Sequence, residues 1–145
     1  MTVSKTPEQI KEILLTEAPG IFKNHPVLFS YLFGSYAAGV VHPFSDIDIA
    51  IFIDAHAIEN GLELELALSL QIDQKLKCQA KSEVRIVNNL PLTIKGKIVT
   101  KGIRIYSANE SERVNFEKCV LGAYFDFRPV IEAYQRAYFK TVKSE

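Results

Sequence analysis

The sequence contains few of the residues that mark disulfide-rich or zinc-binding proteins. It has only two cysteines, Cys78 and Cys119, and three histidines, His25, His42 and His56. None of them shows the spacing of a zinc site or of a CxxC redox motif, and two isolated cysteines are too few for a disulfide framework. We therefore expect two reduced, partly buried thiols in a protein from a reducing compartment.

Long apolar runs and an excess of charge of one sign are also missing. No apolar run approaches the roughly 20 residues needed to span a bilayer, and residues 1–11 lack the apolar core of a signal peptide. Lysine and arginine together number 17, as do aspartate and glutamate, which argues against broad charge-driven binding of nucleic acid. We expect a cytoplasmic enzyme or binding protein with no membrane association and no direct nucleic-acid binding.

What remains is the composition of a folded globular protein. The chain has 145 residues, of which 48% are hydrophobic and 23% are charged, which is enough for one domain over residues 1–145. Helix and strand signals alternate along the chain, and this order indicates an α/β or α+β fold with a small central sheet. The C-terminal helical tail, from about residue 110, is expected to bend near Pro129.

Local signals set the expected boundaries of the elements. Thr6 caps the first helix, Pro7 occupies its first position, and Pro19-Gly20 is expected to end it. Further helical segments are predicted over residues 36–40, 62–76, 92–101 and 111–143, and strands over residues 27–33, 46–54, 83–87 and 103–106.

Two of these segments have patterns that assign a buried side. Strand 46–54 alternates, so its four isoleucines are expected to form its one buried face. In helix 62–76, four leucines are assigned to the buried face and three charged residues to the solvent face. The isoleucines are Ile47, Ile49, Ile51 and Ile53, the leucines are Leu62, Leu66, Leu70 and Leu76, and the charged residues are Glu63, Glu65 and Lys75.

Asp46 and Asp48 are the first candidate site residues. Residues two apart in a strand point to the same side, so these carboxylates repel each other and stay ionised together only if a cation lies between them. Hard oxygen ligands favour Mg²⁺, which keeps open positions for substrate phosphates. Taken alone, the Asp-x-Asp pair is more often a solvated strand edge than a metal site.

Gly34 and Ser35 are the second feature of the candidate site. Glycine lets the backbone turn sharply and approach a phosphate closely. Ser35 offers a hydroxyl and an N–H group at the start of a helical turn, where anions bind, and Gly39 ends that turn. On its own this is an ordinary strand-to-helix turn; followed by Asp46 and Asp48, it pairs a phosphate-binding turn with metal carboxylates.

The combined pattern is Gly34-Ser35, then residues 36–45, then Asp46-Ile47-Asp48. It resembles the signature of the nucleotidyltransferase superfamily with the polymerase β palm. The resemblance extends to Glu83 and the strand and Asn-x-x-Pro after it, and to residues 101–106, 113–117 and 124–129 of the tail. Over most of its length, the chain resembles the MntA-type minimal nucleotidyltransferase antitoxins of HEPN–MNT toxin–antitoxin systems.

This resemblance implies a fold, an activity and a partner. The implied fold is a minimal polymerase β-like palm, with a small mixed sheet flanked by helices. The implied activity is Mg²⁺-dependent transfer of AMP from ATP to a tyrosine hydroxyl of a cognate HEPN ribonuclease toxin, which silences the toxin. The implied partners are that toxin, with which a hetero-oligomer is expected, and ATP as the substrate.

The resemblance also assigns roles to the site residues. Asp46 and Asp48 would hold two Mg²⁺ ions, and Gly34 and Ser35 would cradle the phosphates that leave as pyrophosphate. Glu83 would ligate the metal on the acceptor side and take the acceptor proton. It stands where the family usually has aspartate, and Arg85 is predicted either to pair with it or to be simply exposed.

A second departure from the family is in the helical turn, where Tyr36 and Ala38 replace the arginines that the family often has. Two other functions therefore stay open: a nucleotidyltransferase that modifies a small molecule, and a non-catalytic antitoxin that masks the toxin by contact. The tail aromatics are interpreted as core, with a partner surface as the alternative. These aromatics are Tyr124, Phe125, Phe127, Tyr134, Tyr138 and Phe139.

Overall fold

A computed structural model describes residues 5–42, 45–77 and 80–143. Cys78 lies outside these described residues, as does the middle of the predicted loop 42–45. The elements are α1 (Pro7–Phe22), β1 (Val27–Phe33), α2 (Ser35–Ala38), β2 (Ile47–Ile53), a 3₁₀ turn (Ala55–Ala57), α3 (Gly61–Lys75), β3 (Ser82–Ile86), α4 (Leu92–Lys101), β4 (Ile103–Ser107) and α5 (Glu110–Lys143).

The four strands form one mixed sheet in the order β3-β2-β1-β4. β1 pairs antiparallel with both β2 and β4, whereas β2 and β3 are parallel. A parallel pair needs a crossover connection, and α3 supplies it between β2 and β3. The sheet is flanked by helices, which confirms the predicted fold class. The strand predicted over residues 103–106 is β4, which lies at one edge of the sheet.

Helix α1 begins as predicted but ends later. The Thr6 side chain accepts a hydrogen bond from the Gln9 N–H, and the Gln9 side chain caps Thr6 in return. The prediction that Pro19-Gly20 ends the helix was wrong, because the helix continues to Phe22. Ile21 and Phe22 are both buried, so the last turn is held by packing in the core despite the missing proline donor.

Strand β2 has two buried faces, not the single face that the alternation predicted. Its isoleucines pack in a core with α1 and α3, as expected. Ala50, on the other face, is also fully buried, in a second cluster with Phe29 and Ile98. Helices α4 and α5 cover that face. The small and aromatic residues on it therefore pack against these helices instead of facing solvent.

Helix α3 buries a different face from the one predicted. Leu64, Leu68 and Ile72 are its buried residues, whereas Leu62, Leu66 and Leu70 are 60–65% exposed. Leucine occupies every second position from 62 to 70. In a helix this produces two leucine stripes, and only one of them can face the core. The prediction for Leu76 was right, since this residue is fully buried.

Helix α5 is anchored to the sheet by its first half and bends near Pro129, as predicted. The Tyr31 hydroxyl donates to Glu117 over 2.6 Å, and Arg113 donates to the same carboxylate over 3.0 Å. Further along, a Cβ on Gly96 would overlap the ring of Tyr124, which shows how closely α4 and α5 pack.

The interpretation of the tail aromatics as core was wrong for most of them. Phe125, Phe127, Tyr134 and Tyr138 are exposed on α5, whereas Tyr124 packs against Gly96 of α4. The side chain of Phe139 lies outside the described part of the structure. Cys119 is a free thiol and exposed, not partly buried as predicted. None of the helices searched in the described ranges is long and apolar enough to cross a membrane.

Candidate active site

The turn after β1 is shaped by two glycines with left-handed backbone. Gly34 caps α2 with φ of 73° and ψ of −150°, a conformation essentially restricted to glycine. Gly39 ends the same turn with φ of 76°. Between them, Ser35 begins α2, and N–H groups in the first turn of a helix have no partner within that helix. The predicted turn is therefore present, at Ser35–Ala38 instead of residues 36–40.

The sheet brings this turn against the first pair of carboxylates. Antiparallel pairing places Phe33 opposite Asp48, so Gly34 follows directly beside the start of β2. A Cβ on Gly34 would collide with the Asp48 carboxylate, so Gly34 is required here for close approach as well as for its backbone angles. Asp46 lies just before β2, exposed, whereas Asp48 is half-buried.

Parallel pairing brings in the third predicted carboxylate. Glu83 of β3 is the direct cross-strand partner of Asp48. Burial raises the pKa of the Asp48 carboxyl, and the nearby carboxylates of Glu83 and Asp46 raise it further, against the opposing charge of Arg85. The three carboxylates that were predicted from separate parts of the sequence thus share one electrostatic environment.

Glu83 does not, however, converge with the two aspartates as a ready-made ligand. Its side chain is about half exposed and pairs with Arg85, with 3.6 Å between Oε1 and Nε. Across the ranges that the structure describes, no group of three or more histidine, cysteine, aspartate or glutamate side chains is arranged to hold a metal ion. Glu83 and Arg85 thus form an exposed pair beside Asp48, and such pairs are weak and easily exchanged.

The donor set still fits Mg²⁺. Asp46 and Asp48 offer hard carboxylate oxygens, and a divalent cation would favour the ionised form of Asp48, whose pKa is raised by burial first and then by Glu83 and Asp46. Mg²⁺ is commonly held by one or two carboxylates, with waters and substrate phosphates completing its six positions. Two aspartates beside this turn therefore match the protein share of such a site.

The turn itself supplies no positive side chain for a phosphate. Tyr36 is buried in the core cluster of α1 and α3, and the next two positions are alanines. Backbone N–H groups and the Ser35 hydroxyl are the donors that this turn offers to an anion.

A groove beside the carboxylates was not anticipated from the sequence. It has a volume of about 610 Å³ and lies between α3 and β3, with Asp46, Glu83 and Arg85 among its lining residues. The exposed leucines Leu62, Leu66 and Leu70 line it as well. The alternating leucines of α3 were the sequence signal for this groove. Because α3 contacts the core on one side only, one of its two leucine stripes must remain exposed.

Comparison with known protein families gives a match over most of the chain. The family described as Polymerase beta, Nucleotidyltransferase matches residues 8–111, which include all of the candidate site and end where α5 begins. A relative, the protein adenylyltransferase MntA of Shewanella oneidensis, is 33% identical over 86 residues, or 58% of this chain. That stretch spans 57% of the relative's own length.

Solved structures with the same arrangement come from toxin–antitoxin complexes. A chain of a toxin–antitoxin structure with AMP-PNP superimposes with a TM-score of 0.64 at 20% identity, covering 89% of this chain and 98% of that chain. A chain of a complex of tri-AMPylated Shewanella oneidensis HEPN toxin with MNT antitoxin gives 0.61 at 17% identity, covering 92% and 98%. At these identities the similarity establishes a shared fold.

Proposed function

This chain belongs to the polymerase β nucleotidyltransferase family, and from that premise we propose that it transfers AMP from ATP to a tyrosine hydroxyl of a HEPN ribonuclease toxin. The toxin would be its cognate partner, and the modification would silence it. The similarity to an adenylyltransferase named MntA, and to an MNT antitoxin in complex with AMPylated HEPN toxin, supports AMP as the transferred group and a HEPN toxin as the acceptor.

One observation carries the proposal: the contact between Gly34 and the Asp48 carboxylate. It joins a turn suited to phosphate binding to a carboxylate suited to a divalent cation, with no side chain between them. A nucleoside triphosphate with its metal is the ligand that needs both features in direct contact. The AMP-PNP in the toxin–antitoxin structure of the same fold is consistent with ATP as that ligand.

On this proposal the nucleotide is held by the turn and the two aspartates. The N–H groups at the start of α2 and the Ser35 hydroxyl would cradle the β- and γ-phosphates, and Asp46 and Asp48 would hold two Mg²⁺ ions. Mg²⁺, when bound, neutralises the charge that develops on the attacking and leaving oxygens. The protein thereby orients the α-phosphorus with its bond to the leaving pyrophosphate opposite the acceptor.

Glu83 acts on the acceptor side. The acceptor oxygen forms a bond to the α-phosphorus, the bond to the bridging oxygen breaks, and pyrophosphate leaves. Glu83, across the strand pair from Asp48, would take the proton from the acceptor hydroxyl, and its carboxylate would also be available to a metal ion bound by Asp48. For this it must leave Arg85, and a half-exposed pair at 3.6 Å is weak enough to be exchanged.

The test is AMP transfer from labelled ATP to the HEPN toxin that is the proposed partner of this chain. We expect labelled toxin with wild type, and a rate lowered about 100-fold or more by Asp46→Ala, since removing one electrostatic contact to the reacting phosphate has effects of that size. Glu83→Gln should lower the rate while MgATP binding changes little, and Glu83→Asp should keep activity, because a proton acceptor acts mainly in the transition state.

Two results would contradict the assignment. Transfer at the wild-type rate by Asp46→Ala with metal present would remove the metal-site role of this residue. A Glu83→Gln variant that keeps most of its rate would mean that Glu83 is only an exposed partner of Arg85 and that the site works with two carboxylates. Arg85→Gln is the matched control, because it breaks the same ion pair and leaves the Glu83 carboxylate in place.

A further inference from the structure

An exposed row of leucines lies along the groove beside the site. Leu62, Leu66 and Leu70 are each at least 60% exposed, although large apolar side chains at this spacing usually face a core. Four residues of helix rise about 6 Å, so the row is about 12 Å long and has the length of two helical turns. Exposed apolar stripes on helices are common features of surfaces that bind another molecule.

The edge of β3, which forms the other wall of the groove, is already occupied. The N–H groups of Ser82, Val84 and Ile86 donate to side chains of α3, over 2.8, 3.1 and 2.9 Å. The acceptors are Asp73, Ser69 and Glu65. The acceptors lie four residues apart on α3 and the N–H groups lie two residues apart on β3. Four helical residues rise about 6 Å and two strand residues rise about 6.6 Å, so each acceptor reaches one N–H group. A partner strand would therefore find these three N–H groups already bonded, so we expect a partner to bind here mainly through side chains.

The groove also has a net charge. Its lining contains the carboxylates Asp46, Glu65, Asp73 and Glu83, and the cations Lys81 and Arg85. Acidic groups outnumber basic ones, so the groove favours a basic partner. A ribonuclease binds RNA phosphates with lysine and arginine and so has a basic surface at its active site.

The groove and the carboxylate site are continuous. Asp46 and Glu83 line the groove and also belong to the candidate site. An acceptor hydroxyl must reach Glu83, and the groove is the surface next to Glu83 that combines apolar contact area with charge. A segment seated on the leucines would thus hold its hydroxyl beside the reacting phosphate.

We propose that this groove docks the acceptor segment of the toxin, and that the segment is a basic amphipathic helix whose apolar side chains seat on Leu62, Leu66 and Leu70. The inference rests on the proposed function and adds to it the surface and the chemistry by which the acceptor is recognised. Helices that bind in grooves use apolar anchors three and four residues apart, which matches the spacing of these leucines.

The test replaces Leu66 by glutamate and measures toxin binding by titration calorimetry together with AMP transfer. Leu66 is 63% exposed, so the charge is tolerated by the fold, and thermal unfolding of the variant checks this. We expect the Kd for the toxin and the KM for transfer to rise about tenfold or more, as for a central interface anchor. The kcat at saturating toxin and the binding of MgATP should stay near the wild-type values. The conservative variant Leu66→Met should bind the toxin about as tightly as wild type does.

Tyr134→Glu is the matched control, since it places the same charge at a 78% exposed apolar residue on α5. Loss of toxin binding by this control, with Leu66→Glu unaffected, would overturn the proposal and move the docking surface to the tail. If Leu66→Glu changes the oligomeric state of the protein without toxin, the proposal is overturned in favour of a second copy of this chain in the groove. If wild type neither binds nor modifies the toxin, the proposed function itself fails; if wild type does both and Leu66→Glu is unchanged, only the docking surface fails.

Discussion

At the scale of single residues, Gly34 and Gly39 are a natural pair for comparison. Both have left-handed φ, at 73° and 76°, but only Gly34 lies against a carboxylate. We predict that Gly39→Ala costs about 1–2 kcal/mol of stability, from backbone strain alone, and keeps nucleotide transfer. Gly34→Ala should cost about 1–3 kcal/mol from its more restricted backbone and should also displace Asp48, so that transfer falls about 100-fold or more.

Denaturant unfolding and AMP transfer, measured on both variants, separate the two effects. Nothing lies within 4 Å of a Cβ built on Gly39, so this variant reports the strain without a steric collision. Equal activity losses in both variants would mean that the turn, and not its contact with Asp48, determines function.

Asp48 is expected to oppose stability when no metal is bound. Its pKa is raised in the folded protein, first by burial and then by Glu83 and Asp46. The folded state therefore holds this proton more tightly than the unfolded state does. The resulting stability is fully present below the unfolded pKa of about 3.9 and is lost as the pH rises through the raised folded-state pKa.

The prediction is that Asp48→Asn raises the Tm at pH 7 in EDTA while lowering transfer about 100-fold or more. The gain in Tm should shrink as the pH is lowered toward 4, where Asp48 in wild type becomes neutral as well. Unfolding curves at several pH values check this. A Tm for the variant below that of wild type throughout the range would show that the carboxylate stabilises the fold.

At the scale of elements, α3 holds β3 in place through side-chain hydrogen bonds. Ser69 Oγ accepts from the N–H of Val84, a residue that is buried, and the Ser69 carbonyl accepts from the Ser82 hydroxyl. We predict that Ser69→Ala destabilises the protein by about 1–3 kcal/mol, the cost of a buried donor left without a partner. Gln74→Ala, at an exposed position of the same helix, should change stability by less than about 0.5 kcal/mol.

Urea unfolding of both variants gives the comparison. Should Ser69→Ala match Gln74→Ala, water must replace the serine at the edge of β3, and the edge would be open to a partner strand after all. That result would also weaken the argument that the acceptor binds by side chains.

The same helix shows where sequence patterns are informative and where they are not. Thr6 and Pro7 mark the start of α1 through local chemistry, and the structure has the helix start at these positions. The leucines of α3 form two equivalent stripes, and which one is buried depends on where α1 and the sheet lie, which a local pattern does not contain. The same holds for Pro19. Its missing N–H donor does not end α1, because the turn that follows it packs in the core.

At the scale of the whole molecule, the motif predicted which residues meet but not how they meet. The spacing of Gly34-Ser35 and Asp46-x-Asp48 predicted a turn followed by a pair of carboxylates, and the structure has the turn directly beside Asp48. That Gly34 touches Asp48, and that Glu83 is opposite Asp48 and paired with Arg85, depends on the registers of two strand pairs. Those registers are fixed by the packing of helices on both faces of the sheet, so they emerge only from the complete fold.

The last prediction concerns the folded protein as a ligand-binding unit. If the turn and the aspartates bind nucleotide as proposed, MgATP stabilises the native state by mass action, by about 2.7 kcal/mol at a concentration 100 times the Kd. For a protein of 145 residues this raises the Tm by about 5–10 °C. ATP in EDTA should raise it far less, because the triphosphate would then face the unscreened charges of Asp46 and Asp48. Asp46→Ala is the control, in which the shift with MgATP should be largely lost. A wild-type protein that binds the toxin but shows no shift at millimolar MgATP would instead be an antitoxin that masks its partner by contact, with the carboxylates serving no catalytic purpose.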